Sequence, residues 1–314
     1  MLTQVDGARA VQDAAPLDGT PLDAEPPRAV DADVVENATK DSIPIDGGAI
    51  AGFGAFLDGR QDSRIVAWIG ALVPLVIGTV SAGIQQRHGR RLRSWGKTIV
   101  ERRLYAPLAQ IDAARLRNAC FPMQVVDTLT RDDDPTTALH PLLLQDRARQ
   151  AVLRDREEAE HRVGAAWCAG AESPLLVDGG IAGSDIMAKS PLAIGVVKTH
   201  RTIYCHATGM AAALSLGAAE RTPVMRIAPR GRRPVHSWYL RLRDSGGHDA
   251  LWGLVRIEVA ETDDPRARAD LVSRWVLAER APLAAPDARW DRMTYGVRAV
   301  EQALGAVARP GWRL

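Results

Sequence analysis

The longest apolar stretch in the chain, Ile65 to Ile84 (IVAWIGALVPLVIGTVSAGI), carries no charged residue. Its length of about twenty residues is that of a membrane-spanning helix. The basic stretch that follows, Arg87-His88-Gly89-Arg90-Arg91, is what a positive-inside flank looks like. Its content argues the other way, because Val, Ile and Gly dominate and Pro74 interrupts it. Two buried strands meeting at a turn near Pro74 give the same pattern, and that reading is adopted.

The remaining pattern alternates strands with helices. Ala49 to Asp58 (AIAGFGAFLD) reads as a strand that ends in the turn signal Asp58-Gly59-Arg60. Residues 90–118 look helical in part, with an interruption at Pro107. Residues 141–170 make the clearest helix. Pro141 stands at its start, Leu144, Ala148, Ala151, Val152, Ala159, Val163 and Trp167 recur near helical spacing, and Gly170 ends it. Pro174 to Asp178 is a buried strand ending in Asp-Gly, and Leu192 to Tyr204 is a strand with a basic edge. A short helix over 210–219 and strands over Pro223–Ala228, His236–Arg243 and Leu251–Ala260 follow. Helices over Arg266–Glu279 and Arg289–Val307 close the chain. Intermixed strands and helices predict an α/β or α+β fold with a mixed sheet.

Residues 1–47 differ from the rest. They are acidic, rich in Ala, Asp and Pro, and poor in large apolar side chains. Such a segment buries too little surface to offset chain entropy, so it is expected to be a disordered acidic tail, with a folded domain over 48–314. An inhibitory or partner-binding tail is the alternative.

Composition narrows the chemistry only modestly. Hydrophobic residues make up 46% and charged residues 25%, and the net charge is +2, so no bulk electrostatic argument for a nucleic-acid partner exists. The positive charge downstream of the tail is almost all Arg, the better residue for bidentate phosphate contacts. Three cysteines without CxxC spacing argue against a disulfide framework and a structural zinc site. The first residues, MLTQVDGARA, show no basic region followed by an apolar one, and a cytoplasmic setting is expected. P-loop, GxSxG and HExxH motifs are absent from the sequence.

The feature that could carry chemistry is a repeated ending. Phe56-Leu57-Asp58-Gly59 and Leu176-Val177-Asp178-Gly179 each bring an aspartate to the end of an apolar strand. A buried strand delivers the carboxylate to the sheet edge, and the glycine lets the chain turn away. Two carboxylates brought close repel unless a cation neutralises them, and hard cations such as Mg²⁺ or Mn²⁺ take such oxygen ligands. A third acid is expected from the long helix, among Glu157, Glu158 and Glu160. A fourth could come from Asp291 at the start of the last helix, where Asp287 reads more naturally as the N-cap. Lys198, His200, Arg201 and Arg241 are the candidate contacts to a phosphate backbone, with Arg226, Arg230, Arg232, Arg233 and Arg243 nearby. Trp238, Tyr239, Trp252 and Trp290 are candidates to stack on unpaired bases.

Taken together these motifs resemble the NurA nucleases: a strand ending in Asp-Gly, a Glu-bearing helix, a second Asp-Gly strand, an IGVVK strand and a Pro-rich start to the last helix. The resemblance covers roughly residues 48–310. It implies an RNase H-like mixed sheet flanked by helices, in the Piwi/NurA layout. It implies a Mn²⁺- or Mg²⁺-dependent DNA nuclease acting in end processing or repair with a HerA-like hexameric ATPase, and often as a homodimer. Carried over by residue, the first aspartate falls on Asp58, the second on Asp178, the helix acid on Glu160, and the basic strand end on Lys198. The family's C-terminal histidine falls on Asp291, five residues past Pro286. Gly180 stands where the family prefers Ser. No membrane partner is expected. The alternative reading is an inactive nuclease-like scaffold that docks on an ATPase ring, its acid set left incomplete by Asp291.

Overall fold

The charge-free run does not form a helix. In the computed structural model, which describes residues 8–10, 26–38, 40–129, 140–206, 209–246, 248–281 and 290–307, it becomes the facing arms of a long antiparallel hairpin, Ala55–Ile69 and Val73–His88. The turn falls at residues 70–72, with Gly70 at φ 60°, and Pro74 lies inside the second arm opposite Trp68. The β-branched residues that set the hydropathy pattern are what a strand covered on both faces uses. Val73 to Gln85 is buried at every position. Among the described residues no helix is long and apolar enough to cross a membrane.

In chain order the strands are β1 (Ala8–Ala10), β2 (Arg28–Asp31), β3 (Asp33–Val34), β4 (Ile43–Pro44), β5 (Ala55–Ile69), β6 (Val73–His88), β7 (Arg91–Ala106) and β8 (Gln124–Asp127). They continue as β9 (Leu175–Val177), β10 (Ala193–Val197), β11 (Thr202–Cys205), β12 (Glu220–Arg221), β13 (Met225–Ile227), β14 (Val235–Arg241) and β15 (Leu254–Val259). The helices are α1 (Ala113–Cys120), α2 (Pro141–Gly170), α3 (Asp185–Lys189), α4 (Gly209–Leu214), α5 (Pro265–Ala278) and α6 (Tyr295–Val307). The large sheet runs β3-β13-β14-β15-β10-β9-β5-β6-β7-β8, and β2 pairs separately with β11. The pairings of β9 with β5 and β10 are parallel, whereas those of β5 with β6, β6 with β7 and β10 with β15 are antiparallel. The expected mixed sheet flanked by helices is therefore what the chain forms.

Two layers cover the centre of the sheet. Leu57, Val177 and Ile84 pack in one cluster with Ala159, Val163 and Trp167 of α2. Phe56, Leu176, Ile194 and Ile257 pack in another with Val272 and Val276 of α5 and Val297, Val300 and Leu304 of α6. Each fully buried aliphatic or aromatic side chain contributes roughly 1.5–3 kcal/mol, so these clusters hold the layers in place.

Two expectations are corrected. Residues 91–106, read as helical, form β7, paired along the whole arm of β6; only Ala113–Cys120 of that region is a helix. The acidic leader is not disordered throughout. Its described part, residues 26–38 and 40–47, contributes β2, β3 and β4 to the sheets. Glu36 is buried there, bidentate to the fully buried Arg221 at 2.6 and 2.9 Å. The segment folds because its few polar anchors find partners that lie about 190 residues downstream, beyond any local pattern (Glu36 and Val224 are 188 apart). Most of residues 1–25 lies outside the described residues.

Candidate metal centre

The site begins in the register of two parallel strands. Phe56 pairs with Leu176 and Leu57 with Val177, so the next residues, Asp58 and Asp178, stand side by side. The Asp178 N–H donates to the Leu57 carbonyl at 3.0 Å, which locks that register. Side chains alternate along a strand. Leu57 faces α2 and Phe56 faces α5 and α6, and the same alternation gives Asp58 the α6 side.

Helix α6 brings the third carboxylate. Its buried positions are Gly296, Val297, Val300 and Leu304, the spacing of an amphipathic helix. Glu301 follows Val297 by one turn, so it lies on the flank of that buried stripe. Gly296 allows the close approach, because a Cβ there would overlap the Phe56 ring. One carboxylate oxygen each of Asp58, Asp178 and Glu301 then lies within 4.8 Å of the others. Asp58 is buried and the other two are half-buried.

The surroundings are strongly polar. Burial, together with the charges of Asp178 and Glu160, holds the Asp58 carboxyl well above the usual carboxylate range, although Lys198 and the Gly59 N–H act against this. Lys198, one residue past β10, sits 2.7 Å from Asp178. Glu160 approaches from α2, is ion-paired to Arg156, and is pushed up to about 7 mainly by burial. An open cleft of about 770 Å³ begins at the three acids and is lined further by Arg60, Arg156, Glu157, Lys198, Arg232, Arg256 and Glu258. Three oxygen donors from three chain segments, mutually repelling and set in a cleft of mixed charge, fit a hard divalent cation.

Of the residues expected at the site, Asp58, Asp178, Lys198 and Glu160 do gather. Asp58 does not end a strand, however, because β5 runs on to Ile69. The glycine after it serves close packing rather than a turn, since a Cβ at Gly59 would overlap the Glu160 carboxylate. At Asp178 the turn reading holds, with β9 ending at Val177 and Gly179 at φ 144°. Asp291 is not part of the cluster. Its buried Oδ2 accepts from the Gly253 N–H at 2.8 Å and pairs with Arg292 at 3.0 Å. That carboxylate fastens the start of the last helical segment to the loop before β15. Its place at the cleft is taken by Glu301. Asp287 and the turn at Pro286 lie outside the described residues.

The expected nucleic-acid contacts divide in the same way. Lys198 lines the cleft, while His200, Arg201 and Arg241 do not. The His200 ring lies against Tyr239, is bonded to the Leu254 carbonyl at 2.9 Å, and is held neutral to lower pH by burial. Arg201 is exposed just before β11. Arg241 is fully buried and donates to the carbonyls of Leu214, Leu216, Ala250 and Trp252, so it clamps loops. Trp238 and Tyr239 are core residues, and Trp252 stacks on His248 with centroids 4.5 Å apart. The Trp290 side chain lies outside the described residues. Arg226 and Arg233 are ion-paired to Glu261 and Asp185, whereas Arg232 reaches the cleft beside Glu157. Glu301 escaped the sequence reading. Its signal was the apolar stripe of the last helix, beside which it is the helix's one acid.

No protein-family model matches the chain, and no curated protein matches its sequence. Among solved structures the chain is similar to the NurA nuclease from Sulfolobus solfataricus, at a TM-score of 0.47 and 10% identity, over 82% of this chain and 80% of that one.

Proposed function

We propose that the chain is a divalent-metal-dependent nuclease that hydrolyses phosphodiester bonds in DNA. The observation that carries this reading is the convergence of Asp58, Asp178 and Glu301, whose ligand oxygens lie within 4.8 Å of one another at the head of a cleft that Arg60, Arg156, Lys198, Arg232 and Arg256 also line. These three residues would hold Mg²⁺ or Mn²⁺. When bound, the cation would lower the pKa of a coordinated water and stabilise charge on the phosphate. The protein's own groups do the rest. Lys198 neutralises phosphate charge next to Asp178. Arg60, Arg156, Arg232 and Arg256 hold the backbone along the cleft. Glu160, pushed up to about 7 mainly by burial, stands behind Gly59 on the α2 side, paired with Arg156, and acts on the site through its charge.

The alternative, an inactive scaffold with an incomplete acid set, is less favoured because Glu301 stands with Asp58 and Asp178. The wider setting is proposed on the sequence resemblance alone: end processing in the cytoplasm beside a HerA-like hexameric ATPase, with the chain as a homodimer. The test is cleavage of linear DNA with Mn²⁺ or Mg²⁺. The reading expects cleavage that chelation abolishes, and a loss of more than about 100-fold in Asp178→Asn and in Glu301→Gln, with the fold retained. Near-normal cleavage in either variant would remove the assignment.

A further inference from the structure

Glu258 belongs to none of the motifs that pointed to the site, yet it joins two parts of it. Its carboxylate is buried in the cleft wall on β15. Oε2 accepts from the Ile181 N–H at 2.8 Å and the Ala182 N–H at 3.3 Å, within the loop that leaves Asp178. Oε1 pairs with Arg256 at 2.8 Å. Arg256 lines the cleft, lies over the Tyr204 ring at 5.0 Å, and meets Glu258 as an ion pair rather than a hydrogen bond, its buried Nε and Nη1 having no hydrogen-bond partner among the described residues. The room for this carboxylate comes from glycine, because a Cβ at Gly180 would stand 2.9 Å from Glu258 Oε2. The residue that departs from the resemblance is thus the one that admits Glu258.

We infer that Glu258 is a positioning residue that fixes the Asp178 loop through one oxygen and the phosphate-contacting Arg256 through the other. A metal-holding acid and a substrate-holding cation thereby keep a constant separation. This inference rests on the nuclease reading. Two backbone N–H groups on one oxygen and the guanidinium charge near the other offset the burial of the carboxylate, whose loss would leave two N–H donors unpaired and the Arg256 charge uncompensated.

The test uses the full chain and two readouts, Mn²⁺ binding by calorimetry and the KM and kcat for cleavage of linear DNA. Glu258→Ala frees the loop, and Mn²⁺ affinity is expected to fall about 10-fold or more, the usual effect of removing a group that orients a ligand. Glu258→Gln keeps an oxygen for the two N–H groups and is expected to hold Mn²⁺ affinity within about threefold of the wild type. Gly180→Ser, which displaces the carboxylate without removing it, should resemble Glu258→Ala and covers the case in which that variant does not fold. Arg256→Gln should raise KM about 10-fold and leave Mn²⁺ affinity alone. If the wild type binds Mn²⁺ and cuts DNA while Glu258→Ala and Gly180→Ser match it in Mn²⁺ affinity, the positioning role is wrong and the nuclease reading stands. If Glu258→Gln is as impaired as Glu258→Ala, the role is also wrong. If the wild type neither binds Mn²⁺ nor cuts, both proposals fall.

Discussion

Asp291 and Glu301 are both acids near the end of the chain, and burial assigns them different duties. Asp291 is 3% exposed and spends its oxygen on Gly253 and Arg292, whereas Glu301 lies at the cleft. Asp291→Ala is therefore expected to lower stability by about 1–3 kcal/mol, through loss of the partner of a buried N–H and of Arg292. Mn²⁺ affinity should stay close to normal, and chemical denaturation together with calorimetry checks both statements. Glu160 permits a prediction in pH. Its folded pKa of about 7 lies above the 4.5 of an ordinary glutamate, so the folded state holds the proton more tightly. The stability it confers is fully present below pH 4.5 and is lost as pH rises through about 7. In the presence of chelator, the wild type should lose stability relative to Glu160→Gln across that window. A difference that stays flat, or that changes in the opposite sense, would refute the placement of Glu160. Gly59 shows what a sequence hides at this scale. Asp-Gly announces a turn, but here the glycine only makes space for a carboxylate that a distant helix brings in.

Elements were legible where their signal is local. The period of apolar residues gave α2 and α6, Pro265 marked the start of α5, apolar runs gave β9 and β15, and alternation gave β14. Strand β7 was not legible. Its sequence, RLRSWGKTIVERRLYA, is charged and half-exposed, and it is a strand because β6 pairs with it from His88 to Val76. That is tertiary context overriding propensity. The leader is a second case, tied down by the buried Glu36–Arg221 pair, to which Asp270 adds a contact at 2.7 Å. Removing one partner of a buried pair leaves the other charge uncompensated, so Glu36→Ala should cost about 3–5 kcal/mol. Urea denaturation measures it, and a cost below about 1 kcal/mol would show that the leader is not integral to the fold. Helix α6 matters for a different reason. Gly296→Val should lift the helix from Phe56 and carry Glu301 out of reach, lowering Mn²⁺ affinity through a residue that touches no ligand.

At the scale of the molecule, the mixed sheet was legible in the sequence, as were Asp58, Asp178 and Glu160, which the fold sets near one another, but Glu301 was not, because which face of α6 meets the sheet depends on docking. The whole account reduces to three carboxylates, from β5, the end of β9 and α6, sharing one cation. Among the described residues this is the group whose geometry could hold a metal ion. The most direct measurement is the anomalous diffraction of crystals soaked in Mn²⁺. The account predicts a single strong peak, or a close pair, bonded at about 2.1–2.3 Å to oxygens of Asp58, Asp178 and Glu301. An absence of any peak at these carboxylates in crystals that take up Mn²⁺ elsewhere, for instance beside Asp291, would contradict it.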